Sequence, residues 1–415
     1  MTLDPVHVDG IAQLAGRLGG AVDPADHRAY AETVWEEFLD PLVHDGDPVL
    51  EPVGERRRLK VDCHDAALQE RPFPTQHGLD SGTINPTTFN NGLVLDVAQA
   101  AMSAVPSDLE LHRARTIVMT AHTNDVGAAL ESDWRMGDAG YVRRRLLRTP
   151  RVDRYEQDVV HALALYMAES AHALDQAGVV EDLLILDGPI YPTGLLRWAD
   201  HDPELADLLV REDVLAVLEN YVGLVETFVE RGVPLVGFVK SSAAKPITRV
   251  VREREGSAPW ANDAALFRQI LERRADGERL TDALTCTNWF RSRLGTDRPL
   301  STEGDALGVE RALDPAAYEV TFFVVYDPRE DLLFRVEAPY AVTRDPDTRA
   351  AIRRQILGDV AAERGPPLAV GKADELARIG AAEKAALREE LERRFDSDRQ
   401  RQYDDARWGV DLEDV

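Results

Sequence analysis

Cysteine is nearly absent from this 415-residue chain. Only Cys63 and Cys286 occur, too few for a disulfide framework or for a zinc site built from four thiolates. Lysine is scarce too, confined to Lys60, Lys240, Lys245, Lys372 and Lys384, so the positive charge is almost all arginine. No apolar run approaches the ~20 residues that span a bilayer. The start, Met1-Thr2-Leu3-Asp4-Pro5-Val6-His7, has neither the basic flank nor the apolar segment of a signal peptide. The expected location is the cytoplasm. A nucleotide-binding P-loop fails on spacing: five residues separate Gly365 from Gly371-Lys372 where four are needed, and Ala373 stands where Ser or Thr would hold magnesium. ATP hydrolysis, if required, belongs to a partner.

What the chain has in excess is acid, with 74 Asp and Glu against 48 Lys and Arg and a net charge of −26. An acidic, lysine-poor surface stays hydrated where salt screens charge within a few Å, which points to a halophile-like cytoplasm. A charge spread this widely is a surface property, so the ligand has to be read from local features. The hydrophobic share of 44% suits a large core. The expected organisation is an N-terminal helical extension over 1–58, a main domain over 59–400 and an acidic tail over 401–415.

Residues 5–44 read as two amphipathic helices, carrying Ile11, Leu14 and Leu18 in the first and Tyr30, Val34, Phe38 and Leu42 in the second. A polar stretch from His44 to Arg58 leads to Leu59–Asp65 and the Asp80 region. The apolar run Gly92–Val105 and the run Leu111–Thr120 complete an expected three-stranded antiparallel meander, with Asp80 near the end of its first strand. Cys63-His64 with His77 lacks a spaced partner set and reads as ordinary packing rather than a metal site. The spacing predicts a helix over 155–177, a second over 203–231 and a short buried strand over 233–239. A helix over 262–275, a strand over 283–290, a hairpin around Asp327-Pro328-Arg329-Glu330, a helix over 348–364 and a charged helix over 374–395 follow.

Two aspartates stand at strand ends. Leu183-Leu184-Ile185-Leu186 runs without alternation into Asp187, and Gly188-Pro189 stops it, as for a strand buried on both faces that ends at the ligand-binding rim of a sheet. Asp80 sits in Gly78-Leu79-Asp80-Ser81-Gly82, and Glu169 lies late in the helix before the Asp187 strand. Two aspartates and a glutamate are the hard oxygen ligands that two divalent cations ~4 Å apart need for phosphodiester cleavage. That reading requires Asp80 and Asp187 to lie within ~10 Å of each other. Glu131 and Asp133 are the fallback acids if Glu169 points to solvent. Arginine is concentrated at Arg143, Arg144, Arg145, Arg148, Arg151 and Arg154, and again at Arg249, Arg252 and Arg254, read either as solvated faces or as phosphate contacts.

Taken in order, Gly78-Leu79-Asp80-Ser81-Gly82, Leu186-Asp187-Gly188-Pro189, Pro234 to Lys240-Ser241-Ser242, Arg335-Val336-Glu337-Ala338-Pro339, and Pro367-Leu368-Ala369 with Ala373-Asp374-Glu375 resemble the NurA family of DNA-repair nucleases over about residues 75–395, in a haloarchaeal-type member. The resemblance implies an α/β fold with an RNase H-like mixed sheet flanked by helices. It also implies manganese-dependent (or magnesium-dependent) 5′-to-3′ exonuclease and single-strand endonuclease activity with two ions, a homodimer, and partnership with a HerA-type hexameric translocase in end resection. Carried over by motif, Asp80, Glu169 and Asp187 match the family's metal-binding acids, and Lys240 matches its lysine after the crossover strand. The chain departs from the family twice: the usual Asp-Gly-Ser is Asp80-Ser81-Gly82, and Asp374 aligns where a histidine is common. These departures motivate an alternative, a degenerate subunit that binds the translocase and guides DNA without cutting it. A metal-dependent phosphatase on an unrelated fold is a third reading.

Overall fold

The computed structural model describes residues 4–19, 24–125, 127, 132–149, 156–200, 203–241, 243–304 and 306–401. Its centre is a large mixed sheet. We label the strands that position the site β1 (Gln76–Thr83), β2 (Val94–Val105), β3 (Arg115–His122), β4 (Val142–Arg148), β5 (Leu184–Asp187), β6 (Leu235–Val239), β7 (Val320–Asp327) and β8 (Leu332–Pro339). The flanking helices are α1 (Glu156–Gln176), α2 (Glu212–Arg231), α3 (Pro346–Glu363), α4 (Leu368–Ala377) and α5 (Ala381–Phe395). Across the sheet the order is β7-β8-β6-β5-β1-β2-β3-β4.

The meander β1-β2-β3 is antiparallel, and β5 is parallel to both β1 and β6. This 3-2-1-4-5 arrangement of β3, β2, β1, β5 and β6 is an RNase H-like core. Each face is covered for the reason its sequence predicts. Residues Leu79, Leu184, Leu186 and Leu235 point to one side and pack under α1 and α2 with Val159, Leu163, Val222 and Phe228. The alternate residues Ile185, Val236 and Phe238 point to the other and meet Ile352, Ile356 and Val360 of α3 and Val370 of α4. Leu95 and Val97 of β2 continue that second face under Leu391 of α5.

Several expected elements are divided differently. The helix expected over 203–231 is two, Pro203–Leu208 and α2, because Leu209 and Arg211 close turns onto Ala206 and Leu208, and Glu212-Asp213 then open a new N-terminus with acid in the first turn. The charged helix expected over 374–395 is also two. α4 ends at Ala377, whose carbonyl accepts from Gln99 Nε2 of β2, and Gly380 opens α5. The strand expected over 283–290 splits into Ala283–Thr287 and Phe290–Ser292. The second N-terminal helix stops at Glu37; Leu42–His44 and Asp47–Pro52 are instead antiparallel strands at the far edge of the sheet. Asp45 and Gly46 turn between them with φ of 51° and 92°, the geometry an Asp-Gly hairpin requires. The helix Pro24–Glu37 buries Val34 and Trp35 in a cluster with Phe290 and Phe322 of the sheet. The arginine run is a strand, not a helix face: Arg143, Arg144, Arg145 and Arg148 lie on β4. Arg151, Arg154, Glu131 and the tail beyond 401 lie outside the described residues. Among the described residues no helix is long and apolar enough to cross a membrane.

Candidate metal centre

In β1, side chains alternate across the sheet, so Leu79 and Ser81 face α1 while Gly78, Asp80 and Gly82 face α4. The glycines are what let α4 lie against the strand. A Cβ on Gly78 would sit 2.2 Å from the Ala369 carbonyl oxygen, and one on Gly82 would sit 2.2 Å from that of Ala377. Ser103 Oγ of β2 donates to the same Ala369 oxygen at 2.5 Å. The helix is thus pinned at both ends, and Asp374, midway along it, is held over Asp80.

β5 runs beside β1 with Leu186 paired to Leu79, which brings Asp187 next to Asp80 on the same face. Asp80, Asp187 and Asp374 can each present a carboxylate oxygen with all three oxygens within 4.8 Å of one another. All three side chains are half-buried. The separation that the nuclease reading required is met with room to spare.

Lys240, just past β6, donates Nζ to Asp187 Oδ2 at 2.5 Å, and Arg378 donates to Asp374 at 2.5 Å one helical turn on. Burial, then the neighbouring charges of Asp187 and Glu169, push the Asp80 carboxyl up to about 8. Burial also raises Asp187, against the pull of Lys240. Acids so raised are short of positive charge, and a set of hard carboxylate oxygens at this spacing fits a divalent cation such as Mn²⁺ or Mg²⁺.

Glu169 is near this group but not in it. It belongs to α1, on the other face of the sheet, where Ser81 Oγ donates to its Oε1 at 2.7 Å and the Tyr221 hydroxyl to its Oε2 at 3.2 Å. Burial pushes its carboxyl up to about 7. Glu169 is turned inward rather than to solvent, one residue along β1 from Asp80. Of the two fallback acids, Asp133 is exposed. Among the described residues no histidine or cysteine joins a metal-binding group, so Cys63, His64 and His77 do not form one. A cavity of about 120 Å³ lined by Tyr166, Glu169, Asp187 and Tyr221 lies between α1, α2 and the end of β5. Sequence reasoning did not single out Ser81 and Tyr221, which orient Glu169. Period-two alternation through Gly78–Gly82 was the signal that Ser81 faces the helix carrying that glutamate.

Three of the arginine candidates are already engaged. Arg143 pairs with Asp175 at 3.3 Å and lies over the Trp134 ring at 4.2 Å; Arg249 pairs with Glu253 at 3.8 Å, and Arg254 with Glu255 at 3.4 Å while lying over Phe38. Arg252 is exposed on the same helix, Pro246–Glu255.

Fold and site together define an RNase H-like α/β protein with a carboxylate cluster where its two central parallel strands meet. The NurA domain family model matches residues 74–379, and the chain belongs to that family. Among solved structures, the NurA nuclease from Sulfolobus solfataricus is 11% identical with a TM-score of 0.51, over 95% of this chain and 98% of that one. A NurA structure with manganese is 10% identical with a TM-score of 0.41, over 78% and 89% of the two chains. One of NurA bound to dAMP and manganese is 11% identical with a TM-score of 0.40, over 82% and 91%. At this identity the likeness to the Sulfolobus solfataricus structure is one of fold. No curated protein matches the sequence.

Proposed function

We propose that this chain is a metal-dependent DNA nuclease. The observation that carries the reading is the convergence of Asp80, Asp187 and Asp374, drawn from two strands and a helix far apart in sequence, within 4.8 Å. Family membership supports it, as does a solved relative named a nuclease. The finer reading is a 5′-to-3′ exonuclease and single-strand endonuclease that acts as a cytoplasmic homodimer with a HerA-type hexameric ATPase in resecting double-strand breaks; it rests on the motif resemblance.

In this reading Asp80, Asp187 and Asp374 hold the cation, with Glu169 the additional acid behind Asp80. Manganese or magnesium bound there, as one ion or two, supplies Lewis-acid stabilisation of the phosphate and a hydroxide-like nucleophile. The chain's own residues do the rest. Ser81 and Tyr221 fix Glu169 by both oxygens, so a carboxyl that exchanges its proton near neutrality sits in one orientation beside Asp80. Lys240 pulls against the burial that raises the Asp187 carboxyl and places its ammonium at the same rim, suited to a phosphate oxygen.

The alternative is a subunit that docks on the translocase and guides DNA without cutting it. The Asp374–Arg378 pair favours it, because it offsets one of the three charges with no cation at all. One experiment separates the two: linear DNA with Mn²⁺, at low and at molar salt. The nuclease degrades it, and Asp80→Ala or Asp187→Ala abolishes degradation while the circular dichroism spectrum is unchanged. Activity retained in both variants overturns the assignment; absence of metal-stimulated cleavage by the unaltered protein at any salt, together with measurable binding to the translocase, supports the guiding subunit.

A further inference from the structure

Beyond the acids, α1 carries a second polar device that the proposed reaction does not use. Asp96 of β2 is fully buried, and its Oδ2 lies 2.6 Å from Nδ1 of His161 on α1. Its other oxygen, Oδ1, has no hydrogen-bond partner among the described residues. A carboxylate enclosed in this way, with one oxygen unsatisfied, draws its compensation from the imidazole, which is drawn toward carrying positive charge. The His161 ring is raised above its usual range, first by that hydrogen bond and then by the charges of Asp96, Asp158 and Glu169, against desolvation. The ring is not enclosed: 39% of the side chain is exposed, and Nε2 makes no hydrogen bond among the described residues. The pair therefore fixes Nδ1 inward and leaves Nε2 facing outward, where it donates to an outside acceptor when the ring is protonated.

Its place in the fold says which acceptor. Thr83, at the site end of β1, is paired with Ala98 of β2, and Asp96 lies two residues beyond that, paired with Thr120 of β3. The dyad is therefore beyond the same end of the sheet as the carboxylate cluster, on the α1 face that also carries Glu169. Along α1, His161 is eight residues from Glu169, about 12 Å at the helical rise. A fixed donor with positive character on the rim of an acid-lined site, on a chain of net charge −26, has one evident substrate group to meet.

We infer that His161, oriented by Asp96, is a phosphate-contacting residue that holds the DNA backbone at a position flanking the carboxylate cluster. This rests on the nuclease reading for the identity of the ligand but not for the chemistry of the contact. The same geometry in a purely structural role would tie α1 to β2 and would leave the salt dependence of DNA binding unchanged.

The test is fluorescence anisotropy of a labelled single-stranded oligodeoxynucleotide against the full chain, with Ca²⁺ in place of Mn²⁺ so that binding is read without cleavage. His161→Gln keeps a donor for Asp96 but carries no charge. It should weaken binding about tenfold, the loss of one charge-assisted hydrogen bond, and lower the slope of log affinity against log salt by about 0.7. His161→Arg should restore both. Under Mn²⁺ the loss in His161→Gln falls mainly on KM rather than kcat. Asp96→Asn, which leaves the imidazole without its anion, should weaken binding at pH 8 more than at pH 6. Wild-type affinity and wild-type salt slope in a folded His161→Gln protein, checked by thermal melting, overturn the inference while leaving the nuclease reading intact. Weakened binding in a protein that proves not to cut DNA upholds the inference and removes the nuclease reading. A wild-type chain that binds no DNA overturns both.

Discussion

A single hydrogen atom's worth of space decides whether Asp374 reaches Asp80. Gly78 lies where a methyl group would meet the Ala369 carbonyl at 2.2 Å, and no side-chain rotation relieves a clash with backbone. Gly78→Ala should therefore push α4 off the strand, cost about 1–3 kcal/mol by overpacking, and weaken Mn²⁺ binding by moving Asp374. Gly371 in the same helix has nothing within 4 Å of its Cβ position, so Gly371→Ala should be neutral or stabilising by up to ~1 kcal/mol. Urea denaturation and Mn²⁺ titration calorimetry on the pair check this; equal behaviour of the two variants would contradict it. Titration gives a second residue-scale consequence. Asp80 and Glu169 are raised to about 8 and about 7, so folding takes up protons at both. The stability tied to them is fully present below the unfolded carboxylate range of about 4. It is lost as pH rises through about 7 and then 8. Without metal, the urea midpoint should fall from pH 6 to pH 9. Saturating Mn²⁺ should reverse the fall, since the cation replaces the protons, and Asp80→Asn should flatten it. A midpoint that rises over this range in metal-free protein would contradict the pKa assignments.

At the scale of elements, the parts of the fold legible in the sequence were those where one physical signal dominates. The unbroken run into Asp187, stopped by Gly188-Pro189, and the apolar stretch of β2 read as buried strands, and the 3.6-residue spacing from Val159 to Leu174 reads as α1. Boundaries were lost where tertiary contacts cut a pattern that would otherwise continue. α4 stops at Ala377, whose carbonyl is claimed by Gln99 of β2, a contact invisible in the local sequence. The Asp45-Gly46 hairpin carries a legible turn signal, but its strands, three and six residues long, are too short to show a period-two pattern. In the site, the acids were identifiable by type and setting, but their division between two faces of the sheet, with Glu169 opposite the other three, emerges only from the register of β1. The Arg335-Val336-Glu337 motif also gains a structural role. Glu337 is buried on β8, pairs with Arg335 at 2.7 Å, and accepts from the Ile190 backbone N–H at 3.2 Å, anchoring the turn that follows Asp187. Glu337→Ala should cost about 3 kcal/mol by leaving a buried guanidinium short of a partner. It should also lower Mn²⁺-dependent activity by loosening that turn. Denaturation and cleavage assays check it, and full activity with undiminished stability would rule out the anchor.

On the proposed nuclease reading, the whole molecule has to reconcile a charge of −26 with a polyanionic substrate. Several of its arginines are spent on internal pairs: Arg143 with Asp175, Arg335 with Asp297, and Arg293 with Glu319 and Glu51. The arginines of β4 lie toward one edge of the sheet, where charged side chains also discourage pairing with another strand. Two salt effects then oppose each other. Added salt screens the self-repulsion of the acidic surface and stabilises the fold, so the melting temperature should rise by about 5 °C or more between 0.1 and 2 M KCl. Added salt also weakens each phosphate contact, with a slope near −0.7 per contact on single strands. If the contacts are few, with Lys240 and, by the inference above, His161 among them, the binding slope should be shallow and cleavage should pass through a maximum at elevated salt rather than decline from the lowest. Melting curves and Mn²⁺-dependent cleavage rates across the same KCl series test both halves. A melting temperature that does not rise removes the halophile-like reading of the surface. A cleavage rate that falls steeply from the lowest salt would show that many more phosphate contacts exist than these residues provide.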